Sequence, residues 1–334
     1  AWTSAAARMA AGEPLEGPDA PADPPPDTGE AVGLGPSRLT LTVGFGPGLF
    51  DHDRYGLGHL RPAALAPLPH FPGDELDPAL SGGDLGVQAC ADSLQVAFHA
   101  VHELTRLGLG AATLRYYQLG FGFGSDGPGP PGSHGTARNL LGFHDGTANR
   151  AVERPGGLDR HVWVGGESDQ PWLRGGTFLV ARRVRLALEA WARTGLDGQE
   201  AAIGRHKASG APLGGDRQYQ APDFAATGPR GRPRIPEHAH IRLASPQRNG
   251  GVQILRRSYN FADGVDPRTG ELDAGLYFLC FQRDPARQFA RIQRRLAAAD
   301  ALTTGYLRHT ASAVFACPPG VAPGEHWGSA LGLG

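Results

Sequence analysis

The chain has 334 residues, enough for two modest domains or one large one. Lys plus Arg number 32 against 33 Asp plus Glu, a formal net charge of −1, which argues against a nucleic-acid or anionic-membrane partner recruited by bulk charge. No run approaches the roughly 18 apolar residues needed to span a bilayer, while 40% hydrophobic content supports a real core, and 50 Gly with 29 Pro point to long loops.

Residues 1–37 are rich in Ala, Pro, Gly, Asp and Glu, with Pro24-Pro25-Pro26 inside. Such a segment buries too little apolar surface to offset its ordering entropy and is expected to be a disordered tail. The chain opens on Ala1 and has a single methionine, Met9, as a mature or trimmed product would. The folded part then starts with the alternating run Leu39 to Phe45, a β pattern. After a loop from Arg61 to Gly83 comes a strand-like stretch, Leu85 to Asp92. Val96, Ala97, Ala100, Val101 and Leu104 then fall at helix-face spacing over Gln95–Leu104, with Asp92 and Ser93 as candidate N-caps.

A Gly/Pro loop over 124–135 precedes the second half. There Gly176 to Leu186 starts as a strand and yields to a helix through about Trp191, and Ile203 to Leu213 reads as a polar, glycine-punctuated loop. Leu276 to Phe281 is strand-like, Asp284 is placed to cap, and Pro285 to Leu296 reads as helix. The strand and capped helix near Asp92 and near Asp284 have equal spacing, a weak internal repeat that two split βαβ halves would explain. Cys90, Cys280 and Cys317 have no CxxC or ligand spacing, and an odd count argues against a full disulfide framework; Cys90 and Cys280, in apolar strand-like runs, read as buried small hydrophobes.

Three segments carry the chemistry. Gly142-Phe143-His144-Asp145-Gly146-Thr147-Ala148-Asn149 brackets a carboxylate and an imidazole between glycines. Glycine permits positive φ and close backbone approach, so the loop presents Asp145 to a bound group, unless it is only a tight polar turn. Thr147 and Asn149 read as local hydrogen-bonders. Glu237 to Pro246 holds His238 and His240, and Gln253 to Phe261 holds Arg256 and Arg257 on a probable strand. A loop carboxylate, a histidine and a strand arginine together suit a redox cofactor.

In these three segments, in this order, the chain resembles the dye-decolorizing peroxidases, which are heme enzymes, and within them the long exported class that includes the deferrochelatase/peroxidases. The GxxDG motif of Gly142 to Gly146 is the most specific piece, supported by His240-Ile241-Arg242 and by Leu255 to Asn260; the likeness runs from about Arg38 to the C-terminal region. It implies an α+β fold of two ferredoxin-like (split βαβ) halves with antiparallel sheets, of the dimeric α+β barrel type. The halves would cover 38–130 and 131–334, the second carrying heme b.

The resemblance also implies roles. His240 would be the proximal ligand of the heme iron, with His238 two residues away as its competitor. Asp145 matches the distal acid/base that moves the peroxide proton, and Arg256 the cation that stabilises O–O cleavage. Adjacent strand residues face opposite ways, so Arg257 would face solvent or another carboxylate. Gly146, Thr147 and Ala148 would contact heme on one side, and Ser245, Pro246 and Gln247 on the other. The last triplet departs from the Asn-Pro-Arg of the iron-uptake relatives, since Gln247 offers a propionate no charge. Asp284 is a candidate partner for the proximal imidazole, with a plain N-cap as the competing role. Cations in the 203–213 loop are candidates for the propionates. Tyr259, Tyr277, Trp191 and Trp163 are candidate electron relays or, more simply, core packing.

The expected activity is a heme peroxidase that uses hydrogen peroxide to oxidise dyes, phenolics or similar organic donors through a ferryl intermediate. The alternative is a heme-handling protein for iron recovery, with incidental peroxidase activity. Export to the periplasm or outside the cell is expected from the resemblance alone, and the oligomeric state is left open.

Overall fold

The structure, a computed structural model, describes residues 1–17, 24–122, 136–322 and 324–332. Seven strands form one sheet: β1 (Thr40–Phe45), β2 (Leu85–Cys90), β3 (Thr177–Leu186), β4 (Leu255–Arg256), β5 (Tyr259–Val265), β6 (Leu272–Gln282) and β7 (Leu307–Cys317). Ten α-helices accompany them among the described residues: α1 (Trp2–Ala11), α2 (Pro47–Asp51), α3 (Leu94–Leu107), α4 (Asn149–Val152), α5 (Gly157–His161), α6 (Leu188–Arg193), α7 (Leu196–Ile203), α8 (His240–Leu243), α9 (Phe289–Ala299) and α10 (Ala301–Tyr306). The α+β class with antiparallel strands is as expected. The Gly/Pro loop at 124–135, with the boundary at 130/131, lies outside the described residues.

The strand order is β2-β1-β7-β3-β6-β4, with β5 also on β6, and the strands pair antiparallel throughout. The first half thus contributes β1, β2 and α3, and β7 joins it to the rest. Two glycines seat this junction. A Cβ on Gly44 would lie 2.6 Å from Phe315 Cβ, and one on Gly86 would lie 2.9 Å from the Phe315 ring, so the ring occupies the space two side chains would need.

The largest apolar cluster includes Phe45, Phe71, Trp172, Phe178, Val180 and Phe289, and lies between the sheet and the helices behind it. Within this region Arg182 and Asp74 form a fully buried ion pair, and the Arg182 guanidinium sits 5.5 Å from the Phe71 ring centre. The three cysteines are free; Cys280 is buried as expected and Cys317 is buried too, whereas Cys90 is only half-buried and accepts from the Tyr259 hydroxyl at 3.2 Å.

Two expectations need correction. The stretch 1–37 is not a disordered tail where it is described. Residues 2–11 form α1, whose Ala5 and Met9 pack against Val96, Ala100 and Leu104 of α3, and residues 24–31 lie against the same helix. Averaged composition hides this helix, because its apolar stripe is built from alanines. Ser93, and not Asp92, caps α3, accepting from the Val96 amide at 3.4 Å. Asp92 pairs with Arg38 instead.

Candidate active site

The loop before α4 turns tightly because Gly142 and Gly146 both take positive φ, 83° and 77°, a region costly for residues with a Cβ. The turn holds Asp145 with its side chain only 8% exposed. Asp145 Oδ1 accepts from the Gly146 amide at 2.6 Å, and Oδ2 accepts from Asn139 Nδ2 at 3.3 Å. Arg256 Nη1 lies 2.6 Å from Asp145 Oδ1. Burial pushes the Asp145 carboxyl up, but Arg256, Asn139 and the Gly146 amide outweigh it, and the group stays below the ordinary carboxylate value.

Asn149 brings this loop and β4 into register. Its Nδ2 donates to the Arg256 carbonyl at 2.6 Å, and its Oδ1 accepts from the Arg256 amide at 3.0 Å. The motif's last residue therefore reaches 107 positions along the chain and is not merely a local hydrogen-bonder. Arg256 stands opposite Cys280 on β6, while its neighbour Arg257 turns away to Glu153 at 2.8 Å.

His240 begins the short helix α8, and its ring is fixed by a residue not singled out in the sequence. Its Nδ1 donates to Asp300 Oδ2 at 2.8 Å. Asp300 is fully buried and also caps α10, accepting from the Leu302 and Thr303 amides and from the Thr303 hydroxyl at 2.6 Å. Burial raises its carboxyl, but His240 and these donors more than offset it, so the group is held below its usual value and ionised. With Nδ1 donating, Nε2 keeps its lone pair. Asp284, the candidate for this partnership, instead accepts from the Ala286 and Arg287 amides in the turn before α9. The only sequence signal for Asp300 was an Asp before Ala-Leu-Thr-Thr, a cap pattern that says nothing about what else it touches. His238 is exposed, and its carbonyl receives the Ala301 amide, tying α8 to α10.

The other named residues are placed as follows. Gly146 lines a cavity of about 260 Å³ with Thr136, Arg150, Glu153 and Tyr219, where the Arg150 guanidinium lies 4.4 Å from the Tyr219 ring centre. Thr147 accepts from Gln218, and Ala148 leads into α4. Ser245 is buried and donates its hydroxyl to the Arg242 carbonyl at 2.7 Å. Pro246 and Gln247 lie in the following 3-10 turn, with Gln247 exposed. His144 is spent on the Thr136 carbonyl. Arg205 is buried and donates to the carbonyls of Gly210 and Gln218; burial first, and the nearby Arg256 second, pull its guanidinium down to about 10. Trp191 is core, donating to the Leu141 carbonyl, and Trp163 is 42% exposed beside a second cavity of about 370 Å³.

The arrangement has one imidazole nitrogen free to ligate, and an ionised carboxylate paired with a guanidinium. It can hold a Lewis acid and move a proton.

Comparison with known proteins gives the same direction. The family model described as "Dyp-type peroxidase, N-terminal" matches residues 1–122, and "Dyp-type peroxidase, C-terminal" matches residues 136–322. The chain is 37% identical over 324 residues to a dye-decolorizing peroxidase of Thermobifida fusca, covering 95% of this chain and 71% of that one. It is also 37% identical over 311 residues to a deferrochelatase of Yersinia pseudotuberculosis, covering 91% and 69%. The solved structure of ferric DtpA from Streptomyces lividans superposes with a TM-score of 0.88 at 41% identity, covering 99% of this chain and 85% of that one.

Proposed function

The chain belongs to the Dyp-type peroxidase family, and from that premise we infer that it is a heme peroxidase that reduces hydrogen peroxide with electrons from organic donors. The observation that carries the assignment of roles is the pairing of His240, whose Nε2 is left free by Asp300, with the ionised Asp145 beside Arg256.

These residues fit a heme. His240 would hold the iron through Nε2, and Asp300 fixes the ring and raises its basicity. Bound heme supplies the iron at which the peroxide O–O bond breaks and the oxidising power then passed to the donor. Asp145 takes the first proton of peroxide. Its Oδ1 is occupied by Arg256 and the Gly146 amide, so Oδ2, with only the long bond from Asn139, carries that proton. The same oxygen returns it to the departing water. The guanidinium that keeps Asp145 ionised also makes its protonated form a stronger acid, which favours the return. Arg256 offsets the negative charge on the leaving oxygen.

Gly146, Thr147 and Ala148 would line the heme on the Asp145 side, and Ser245, Pro246 and Gln247 beyond His240. Ser245 would contribute shape alone, since its hydroxyl is already spent. We also propose halves at 38–130 and 131–334, the second holding the site, and export of the protein from the cytoplasm, which cell fractionation tests. Among the described residues no helix is long and apolar enough to cross a membrane.

The experiment is an absorption spectrum of the heme-loaded protein before and after one equivalent of peroxide, repeated with Asp145→Ala, His240→Ala and Arg256→Ala. A Soret band that responds to peroxide, is lost with the His240 change and responds slowly with the other two supports the roles. A band indifferent to peroxide sinks them. Iron recovery from heme remains a second reading because relatives named deferrochelatase match at the same 37% identity; iron released to a chelator without donor oxidation would favour it.

A further inference from the structure

Apart from this site, a second group of ligating side chains joins the N-terminal segment to α3. His99 and Glu103 stand one turn apart on the same face of that helix, and Asp27 reaches them from the segment laid across it. One ligand atom from each of the three lies within 4.8 Å of the others. His99 Nε2 is 3.6 Å from Asp27 Oδ2, near the separation of about 3.4 Å expected for two ligands about 2.1 Å from one tetrahedral ion. Both helix residues are buried: His99 is 4% exposed and Glu103 fully covered.

The histidine is oriented as a ligand would be. Its Nδ1 donates to Glu30 Oε2 at 2.9 Å, which leaves Nε2 to face the Asp27 carboxylate, with a Glu103 oxygen within reach of the same group. Among the described residues no donor lies within hydrogen-bond reach of that nitrogen. A lone pair facing anions in a covered site is repulsive unless something positive lies between them. Glu103 is itself held by the Thr28 amide and hydroxyl and by Arg106, as ligating carboxylates commonly are. Three carboxylates thus gather here with one guanidinium, that of Arg106 on Glu103, and with His102 on the outer side of Glu30 at 2.6 Å, an acidic balance that a divalent cation would offset.

We propose that Asp27, His99 and Glu103 form a binding site for a first-row divalent cation of the zinc class, with Glu30 as the outer carboxylate that positions His99. One imidazole with two carboxylates is a donor set that zinc accepts, with solvent completing the shell. The ion would pin residues 24–31, and α1 with them, onto α3.

The test uses the full chain loaded with heme, stripped with EDTA and then titrated with zinc sulfate against a chromophoric chelator. The expected result is stoichiometric zinc, retained through gel filtration, that slows proteolysis before residue 31. Asp27→Asn and His99→Gln should abolish it, and Glu30→Gln should weaken it by about 10- to 100-fold. Peroxide-driven turnover should be unchanged in all three, which separates this outcome from the fate of the peroxidase assignment. Failure of the unaltered protein to retain zinc overturns the site. Equal retention by the Asp27 and His99 variants overturns it as well, assigning the zinc to other histidines.

Discussion

The acid/base role rests on one carboxylate held below its ordinary pKa inside a covered loop. Asp145→Asn keeps the shape and removes the proton carrier. It is expected to lower peroxide-driven turnover by about 10²- to 10⁴-fold while the Soret band persists, read by stopped-flow absorption. The pH dependence follows from the sign of the shift. Asp145 is ionised above its depressed pKa and loses its function only as pH falls through that value, so turnover should persist well into the acid range. A profile of kcat/KM peaking above neutrality would count against it. Asn149 tests the clamp on Arg256 without touching the chemistry. Asn149→Ala strips both partners from the Arg256 backbone and should cost about 1–3 kcal/mol per unsatisfied group, measured by urea unfolding.

At the scale of elements, the seat of Phe315 gives a sharp expectation. Gly44 has no room for a Cβ against Phe315, so Gly44→Ala should destabilise by about 1–3 kcal/mol through overpacking, seen as a lower Tm with an unchanged heme spectrum. The same scale separates what the sequence discloses from what it withholds. Strands β1, β2, β3 and β6 and helix α3 were legible because their apolar periodicity is strong and local. The motif resemblance singles out Asp145, His240 and Arg256, whose roles the peroxide spectra of their variants test. Asp300 was not singled out, because its bond to His240 spans 60 positions and its local pattern says only that a helix starts there. β7 escaped notice because its small residues, Ala311, Ser312 and Ala313, blunt the alternation that marks a strand. α7, just before the cationic loop, was missed because Gly198 interrupts it and its apolar face is weak.

For the whole molecule, acid should be hostile to the fold even though it suits the chemistry. His309 on β7 is buried beside the Arg182–Asp74 pair; burial first, and Arg182 second, push its imidazole down from 6.5 to about 3. The unfolded chain therefore binds a proton that the folded chain refuses. The stability this contributes is complete above about pH 6.5 and is lost as pH falls towards about 3, so Tm should decline across that window. His309→Gln should flatten the decline, and an equally steep decline in that variant would assign it to other groups. The place of β7 in the sheet has another consequence. Phe45 pairs with Ala316, 271 positions later, and the carboxylate behind His240 is almost as late in the chain. At roughly 5–20 residues per second, a ribosome needs tens of seconds to deliver β7 after it has made β1. Throughout that interval the first strands have a bare edge and the imidazole no anchor. A nascent chain stalled before this strand therefore keeps an unpaired sheet edge, the kind of surface that invites wrong pairing.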